Sequence, residues 1–288
     1  MSVQHLAFQF NQAIARTHTN ATAPLFPTCH LSTLAAGDMK TYAGQPNKNR
    51  VQFLCNLNLA PETLRYATQV HSRHILFFTD ETTPFLPDTE ADGIITTDKR
   101  LVPAVLVADC MPIFLYDTRS GAFGVLHSGW KGTGIAADAL DLLEKRFGSK
   151  PSDVLFVFGP HIGSCCYTVD ASRAAYFSAI EKTCVRLSVK KLLRFSRRHY
   201  SLSLAYANRA LLERKGVPPA NITDTQLCTC CTTVRNAAER GLIPTNGHSS
   251  FSEREHFLFG SNCRENTNAD GSFTRMLAAI DWETGCSR

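Results

Sequence analysis

Apolar positions along this chain change their period several times, and each change marks an element. Residues 101–108, 112–116 and 122–126 are apolar runs of strand length, separated by short polar or glycine-containing breaks. Between residues 134 and 147 the pattern switches: Ile135, Leu140, Leu142, Leu143 and Phe147 recur at helical spacing, with Gly148 as the stop. A buried strand is predicted over residues 154–158, ending at Gly159-Pro160, and a helix over 171–185. A further helix is predicted over 203–214, with Ser203 as N-cap and Gly216 just past its end, followed by Pro218-Pro219 and a short strand over 222–227. Strands and helices interleave without an internal repeat, a long linker or a low-complexity tract, which predicts one α/β domain. The polar, turn-rich stretches 239–250 and 264–271 are expected to be mobile loops.

Composition narrows the class. A chain of 288 residues with 44% hydrophobic and 19% charged residues can bury a large core and is an ordinary globular composition. No stretch approaches the roughly 18 apolar residues that a membrane span needs. A net charge of +5 is spread along the chain, with only residues 190–198 forming a dense basic cluster, so neither a nucleic-acid nor a membrane partner is expected. Residues 1–37 lack Asp and Glu in the manner of a transit segment but carry a single arginine, Arg16. They lack the apolar core of a secretory signal, and a disordered or edge-packed leader is the expectation. Eleven scattered cysteines without an export signal fit a reduced compartment, and hence a cytoplasmic protein.

Candidate chemistry gathers in the middle third. His71, Cys110 and His127 each stand where an apolar run meets a polar or glycine-rich break. Two imidazoles and a thiolate suit a three-ligand zinc site with an open fourth position; they equally suit a thiol nucleophile with two bases. The turn from His127 to Gly134, with glycines at 129, 132 and 134, permits close backbone approach ahead of a helix, and Lys131 could reinforce an anion site there. It matches neither a phosphate-binding P-loop nor a dinucleotide fingerprint. The other cysteines are assigned to packing. Cys228-Thr-Cys-Cys231 is read as too closely spaced for a zinc knuckle, and adjacent Cys165-Cys166 would form only a strained disulfide.

Five strings in order, Thr68-Gln-Val-His71, Ala91-Asp-Gly-Ile-Ile-Thr96, Ala108-Asp-Cys-Met-Pro112, His127-Ser-Gly-Trp-Lys-Gly132 and Gly159-Pro-His-Ile-Gly163, resemble the motifs of the laccase-domain family. That family was named for multicopper polyphenol oxidation and is understood as purine nucleoside phosphorylases. Further matches at Cys166-Tyr167, Asn208-Arg209, Cys228-Thr229, Phe251-Ser252, Arg254 and Thr274-Arg275-Met276 extend the resemblance over roughly residues 48–280, leaving residues 1–47 as a variable N-terminal segment and 48–288 as the enzyme domain.

The resemblance implies two packed mixed sheets flanked by helices, a four-layer α/β/β/α sandwich, as a monomer or a homodimer. It implies Zn²⁺ on His71, Cys110 and His127, and phosphorolysis of adenosine, inosine and methylthioadenosine to base and ribose 1-phosphate, with adenosine deamination beside it. In that scheme Asp109 orients the ligands, Lys131 lies near the phosphate, and Gln69 or Arg254 forms the pocket wall. Leu34 replaces the family's arginine, Ala35-Ala36 its glycine pair, and Ser72 the glycine after the first histidine, which alters the expected N-terminal wall. Two rivals remain. A copper polyphenol oxidase would need many paired histidines, whereas ten are scattered here. A cysteine hydrolase or amidase of the type that edits peptidoglycan precursors would use Cys110 as nucleophile and His127 as base.

Overall fold

The computed structural model describes residues 3–10, 26–41, 47–80, 86, 88–192, 195–241, 243, 256–265 and 272–282. Two mixed sheets carry the fold. The six-stranded sheet runs Ile222–Asp224 (β13), Val154–Phe158 (β9), Met111–Asp117 (β7), Phe123–Ser128 (β8), Gly93–Thr96 (β5), Ile75–Phe78 (β4). The five-stranded sheet runs His5–Phe8 (β1), Thr28–Ser32 (β2), Met276–Asp281 (β14), Val102–Val107 (β6), Leu64–Arg65 (β3). The residues before position 48 therefore build two strands of the sandwich and place Leu6, Cys29 and Leu31 in its core.

Side-chain alternation explains why the central strands read as continuous apolar runs. In β6, Val105 and Val107 face Phe114 and Tyr116 of β7, Val125 of β8 and Val157 of β9 across the gap between the sheets. The alternate residues Val102 and Ala104 turn outward onto Phe53 and Leu54 of helix α1 (Lys48–Asn56). On the other sheet Ile113 and Leu115 turn outward onto helices α2 (Ile135–Phe147) and α4 (Leu204–Arg214). With both faces covered, no position is left for the polar half of an alternating pattern. The result is the four-layer α/β/β/α arrangement expected from the resemblance.

Local signals set the helix ends. Gly148, at φ 64°, closes α2 with its N–H on the Glu144 carbonyl. The Ser203 side chain accepts from the Tyr206 N–H at 3.2 Å and starts α4. The predicted helix over 171–185 is shorter: α3 (Ala171–Ile180) ends where Glu181 takes an extended conformation, and the chain enters the strand Val185–Leu192 (β11). This strand pairs with Phe195–Leu202 (β12) and, through it, with Thr168–Val169 (β10) in a third sheet that the pattern did not predict. The predicted strand over 222–227 stops at Asp224. Most of stretches 239–250 and 264–271, expected to be loops, lies outside the described residues, as does Arg254.

Candidate functional site

The two sheets meet chemically where the chain crosses between them. Strand β6 belongs to one sheet and β7 to the other, and Ala108-Asp109-Cys110 is the whole connection. Cys110 thus sits at the mouth of the interface. His127 lies within β8, paired with Pro112 across the β7–β8 ladder, so its ring is fixed by the sheet beside Cys110. His71 precedes β4 and has a φ of 60°, a left-handed conformation that a side-chain-bearing residue seldom adopts.

What holds His71 there is a carboxylate that the sequence reading did not single out. Asp92, fully buried, accepts the N–H groups of Val70 at 3.2 Å, His71 at 3.1 Å and Ser72 at 2.6 Å, as well as the Ser72 hydroxyl at 2.8 Å. Three successive backbone N–H groups converging on one anion form a nest. The same Asp92 lies 2.7 Å from Nδ1 of His127. Nδ1–H donating to Asp92 leaves Nε2 as the nitrogen that faces Cys110 and is available to a metal, the arrangement in which a carboxylate fixes the tautomer of a metal-binding histidine. Asp92 was visible in the string Ala91-Asp-Gly, but an apolar strand pattern says nothing about which neighbouring carboxylate is buried.

Donor atoms of His71, Cys110 and His127 all lie within 4.8 Å of one another, and the two imidazole rings meet edge to face with centroids 5.0 Å apart. Space beside them is reserved by Gly129: a Cβ there would stand 2.8 Å from Cys110 Sγ and 3.2 Å from His71 Cδ2. Two nitrogens and one sulfur at this spacing, with the Asp92 carboxylate behind one imidazole, make a donor set that could hold a metal ion. Electrostatics within the cluster are strongly coupled. Burial opposes the charged form of Asp92, but hydrogen bonds from His127 and Ser72 outweigh it and hold the carboxyl at about 2. Burial likewise opposes the Cys110 thiolate, yet the His127 charge and hydrogen bonds from both histidines bring it down to about 6. Against its own burial, His127 is raised to about 9 by Cys110 and Asp92.

The cluster opens into a cavity of about 990 Å³. Gln69 and Asp109 both line it, and both side chains are engaged by the protein. Gln69 exchanges two hydrogen bonds with the backbone of Leu106, at 2.6 and 2.8 Å, continuing the edge of β6. Asp109 accepts from Thr229 and Ser261 hydroxyls at 2.8 Å each and from the Cys263 N–H at 2.6 Å. Lys131 is exposed, with Nζ 5.5 Å from the Trp130 ring, and is not among the residues lining the cavity. The cations that do line it are Lys40, Arg50 and Arg275, together with the aromatic rings of Tyr66 and Phe273. Arg50 is buried and donates to the Met39 carbonyl, whereas Arg275 stacks 4.0 Å over Phe273. Leu34, Ala35 and Ala36 form a short 3-10 turn and do not line the cavity; Ser72, in place of glycine, adds its hydroxyl to the Asp92 nest.

Residues 33–236 match the family described as multi-copper polyphenol oxidoreductase laccase. A Mus musculus protein named purine nucleoside phosphorylase LACC1 is 37% identical over 146 residues, 49% of this chain and 32% of that protein. The Geobacillus stearothermophilus purine nucleoside phosphorylase YlmD is 36% identical over 142 residues, 49% of this chain and 51% of its own length. The matched part thus spans between a third and about half of these relatives. A prokaryotic protein named adenosine deaminase RL5 is 34% identical over 146 residues, 49% of this chain and 53% of its own length. Among solved structures, YlmD of G. stearothermophilus aligns with a TM-score of 0.68 at 27% identity, covering 89% of this chain and 92% of that one.

Proposed function

The chain belongs to the multi-copper polyphenol oxidoreductase laccase family, and from that premise we propose that it is a zinc-dependent enzyme of purine nucleosides. In this reading it cleaves adenosine, inosine or methylthioadenosine with phosphate to give free base and ribose 1-phosphate, and deaminates adenosine. The observation that carries the proposal is the His71–Cys110–His127 cluster, locked by Asp92, at the wall of a cavity lined by both cations and aromatic rings. The names of relatives, purine nucleoside phosphorylase and adenosine deaminase, support the same substrate class.

His71, Cys110 and His127 would hold the zinc, which when bound supplies Lewis-acid stabilisation of developing negative charge. The remaining work falls to side chains of the cavity. Phosphorolysis builds positive charge on the ribose and negative charge on the departing purine, so phosphate must be oriented before the glycosidic bond stretches. Lys40 and Arg275 line the cavity and would hold that phosphate, and Tyr66 and Phe273 would offer flat apolar faces to a purine. Lys131, expected near the phosphate, is better read as a surface residue over Trp130.

Copper-dependent phenol oxidation is the less favoured alternative. Among the described residues, only this cluster and a four-cysteine group bring three or more metal-donor side chains together, and neither supplies the several paired histidines of a trinuclear copper site. The cysteine hydrolase reading is favoured by one observation, the acidic Cys110 thiol beside His127. Incubating purified protein with adenosine, with and without phosphate, tests the proposal when products and bound metal are measured on one sample. Phosphate-dependent release of adenine or hypoxanthine with zinc bound is the expected outcome. Neither free base nor inosine, with no metal and a freely alkylated Cys110, would replace it with the hydrolase.

A further inference from the structure

Cysteines assigned to packing on sequence spacing come together in space. The Sγ atoms of Cys165, Cys166, Cys228 and Cys231 all lie within 4.8 Å of one another. We propose that these four thiols form a second metal site, a structural tetrathiolate zinc centre separate from the His71–Cys110–His127 cluster.

Geometry separates this reading from a disulfide. Zinc–sulfur bonds of about 2.3 Å in a tetrahedron place sulfurs about 3.8 Å apart. Cys165 and Cys231 Sγ stand at 3.7 Å, close to that edge and far beyond a sulfur–sulfur bond of about 2.0 Å. Vicinal Cys165 and Cys166 could pair with each other only under strain, while both can point at one ion. The second pair has the ordinary zinc spacing after all: Cys228 and Cys231 flank two residues, and the intervening Cys230 lies beside the cluster in contact with both Cys166 and Cys263.

The backbone favours the thiolate at Cys228. N–H groups of Gly163, Cys230 and Cys231 all donate to Cys228 Sγ, the first at 3.2 Å. Such donors spread the charge of a ligating sulfur and fix its direction. Gly163 also keeps the space open, because a Cβ there would lie 3.1 Å from Cys165 Sγ and 3.5 Å from Cys228 Sγ. The two ligand loops are already tied together by the bridge between His161 and Cys228, with Thr229 N–H on the His161 carbonyl at 3.0 Å. Four thiols release four protons to solvent as Zn²⁺ binds, leaving a centre of charge −2. Arg264, donating to the carbonyls of Thr229 and Cys230 at 3.1 and 3.0 Å, places a guanidinium against the loop that carries it. Thr229, between the two ligands, holds Asp109 beside Cys110, so the centre would clasp the loops behind the cavity.

Zinc counted per chain in reduced, purified protein tests this directly. Wild type is expected to hold about two, Cys110→Ser about one, and the double variant Cys228→Ser/Cys231→Ser about one. Cobalt loaded into Cys110→Ser should give the strong sulfur-to-metal charge-transfer bands of a four-thiolate site, and that spectrum decides the matter if the double variant fails to fold. One zinc in wild type and none in Cys110→Ser would overturn the proposal. So would a cobalt spectrum of Cys110→Ser without those bands, or an intact mass under non-reducing conditions showing the four cysteines oxidised to disulfides. None of these outcomes depends on nucleoside turnover, so the second site stands or falls apart from the proposed activity.

Discussion

Asp92 is the residue on which the site turns, because one carboxylate fixes two of the proposed ligands through different means: His71 through a backbone nest and His127 through its ring. Asp92→Asn keeps the size but loses the charge, and its NH₂ group would face donors that need an acceptor. Outer partners of metal-bound histidines typically contribute 10- to 100-fold in metal affinity or activity. Zinc titration and kcat of this variant should each fall within about that range, with a stability loss of about 1–3 kcal/mol from unpaired buried donors. Unchanged zinc affinity would show that His127 is oriented by the sheet alone. The coupled titration of Cys110 and His127 gives a second expectation, for metal-free protein. Cys110 lies at about 6, so its thiolate is present above that pH and lost below it; His127 lies at about 9, so its imidazolium is present below that pH and lost above it. The ion pair therefore fills the window between them. Iodoacetamide labelling of Cys110 after chelation should rise through pH 6 rather than through the 8–9 of an ordinary thiol, and zinc should suppress it. Labelling equally fast with zinc present would favour the hydrolase.

Elements whose two ends are both signalled locally were readable from the chain, and those decided by long-range pairing were not. Helices α2 and α4 match expectation within a residue, because Gly148 and Ser203 carry their own stop and start chemistry. Strands β6, β7, β8 and β9 match because burial on both faces leaves unbroken apolar runs. Residues 181–185 do not continue the helix expected over 171–185: Val185, Leu187 and Val189 alternate with the period of a strand, and the segment pairs with β12. His71, Cys110 and His127 were legible because each stands in the sequence where an apolar run meets a polar or glycine-rich break, although β8 runs on through His127. Asp92 and the four-cysteine cluster were not legible, since their partners come from distant elements and no local period brings them together. The Ser203 cap is testable at this scale. Ser203→Ala removes the acceptor for the Tyr206 N–H and should cost about 1 kcal/mol in chemical denaturation, leaving zinc content unchanged. A cost below a few tenths would show that packing of Leu204 and Leu212, rather than the cap, starts α4.

Across the whole molecule, the proposed ligands come from parts of the chain that only folding assembles. His71 leads into β4 and His127 lies in β8, both in the six-stranded sheet, while Cys110 is the link from the five-stranded sheet into β7. An ion bound by all three joins the sheet crossing to the edge of its neighbour, and the unfolded chain offers no comparable site. Binding to the folded state alone stabilises it by about 2.7 kcal/mol at a free ion concentration 100 times Kd. At about 2–4 °C per kcal/mol, the value for somewhat smaller domains, the melting temperature should rise by roughly 5–10 °C when zinc is restored to chelated protein. The experiment belongs in the Cys228→Ser/Cys231→Ser background, where the four-thiol cluster cannot contribute. There, Cys110→Ala should abolish the zinc-dependent rise without lowering the metal-free melting temperature by more than a few degrees, since Cys110 is only partly buried and packs at a cavity wall. A rise that persists in Cys110→Ala would mean that the ion does not bridge the crossing. The triad would then be a pair of histidines beside a free thiol, and the nucleophile reading of Cys110 would take its place.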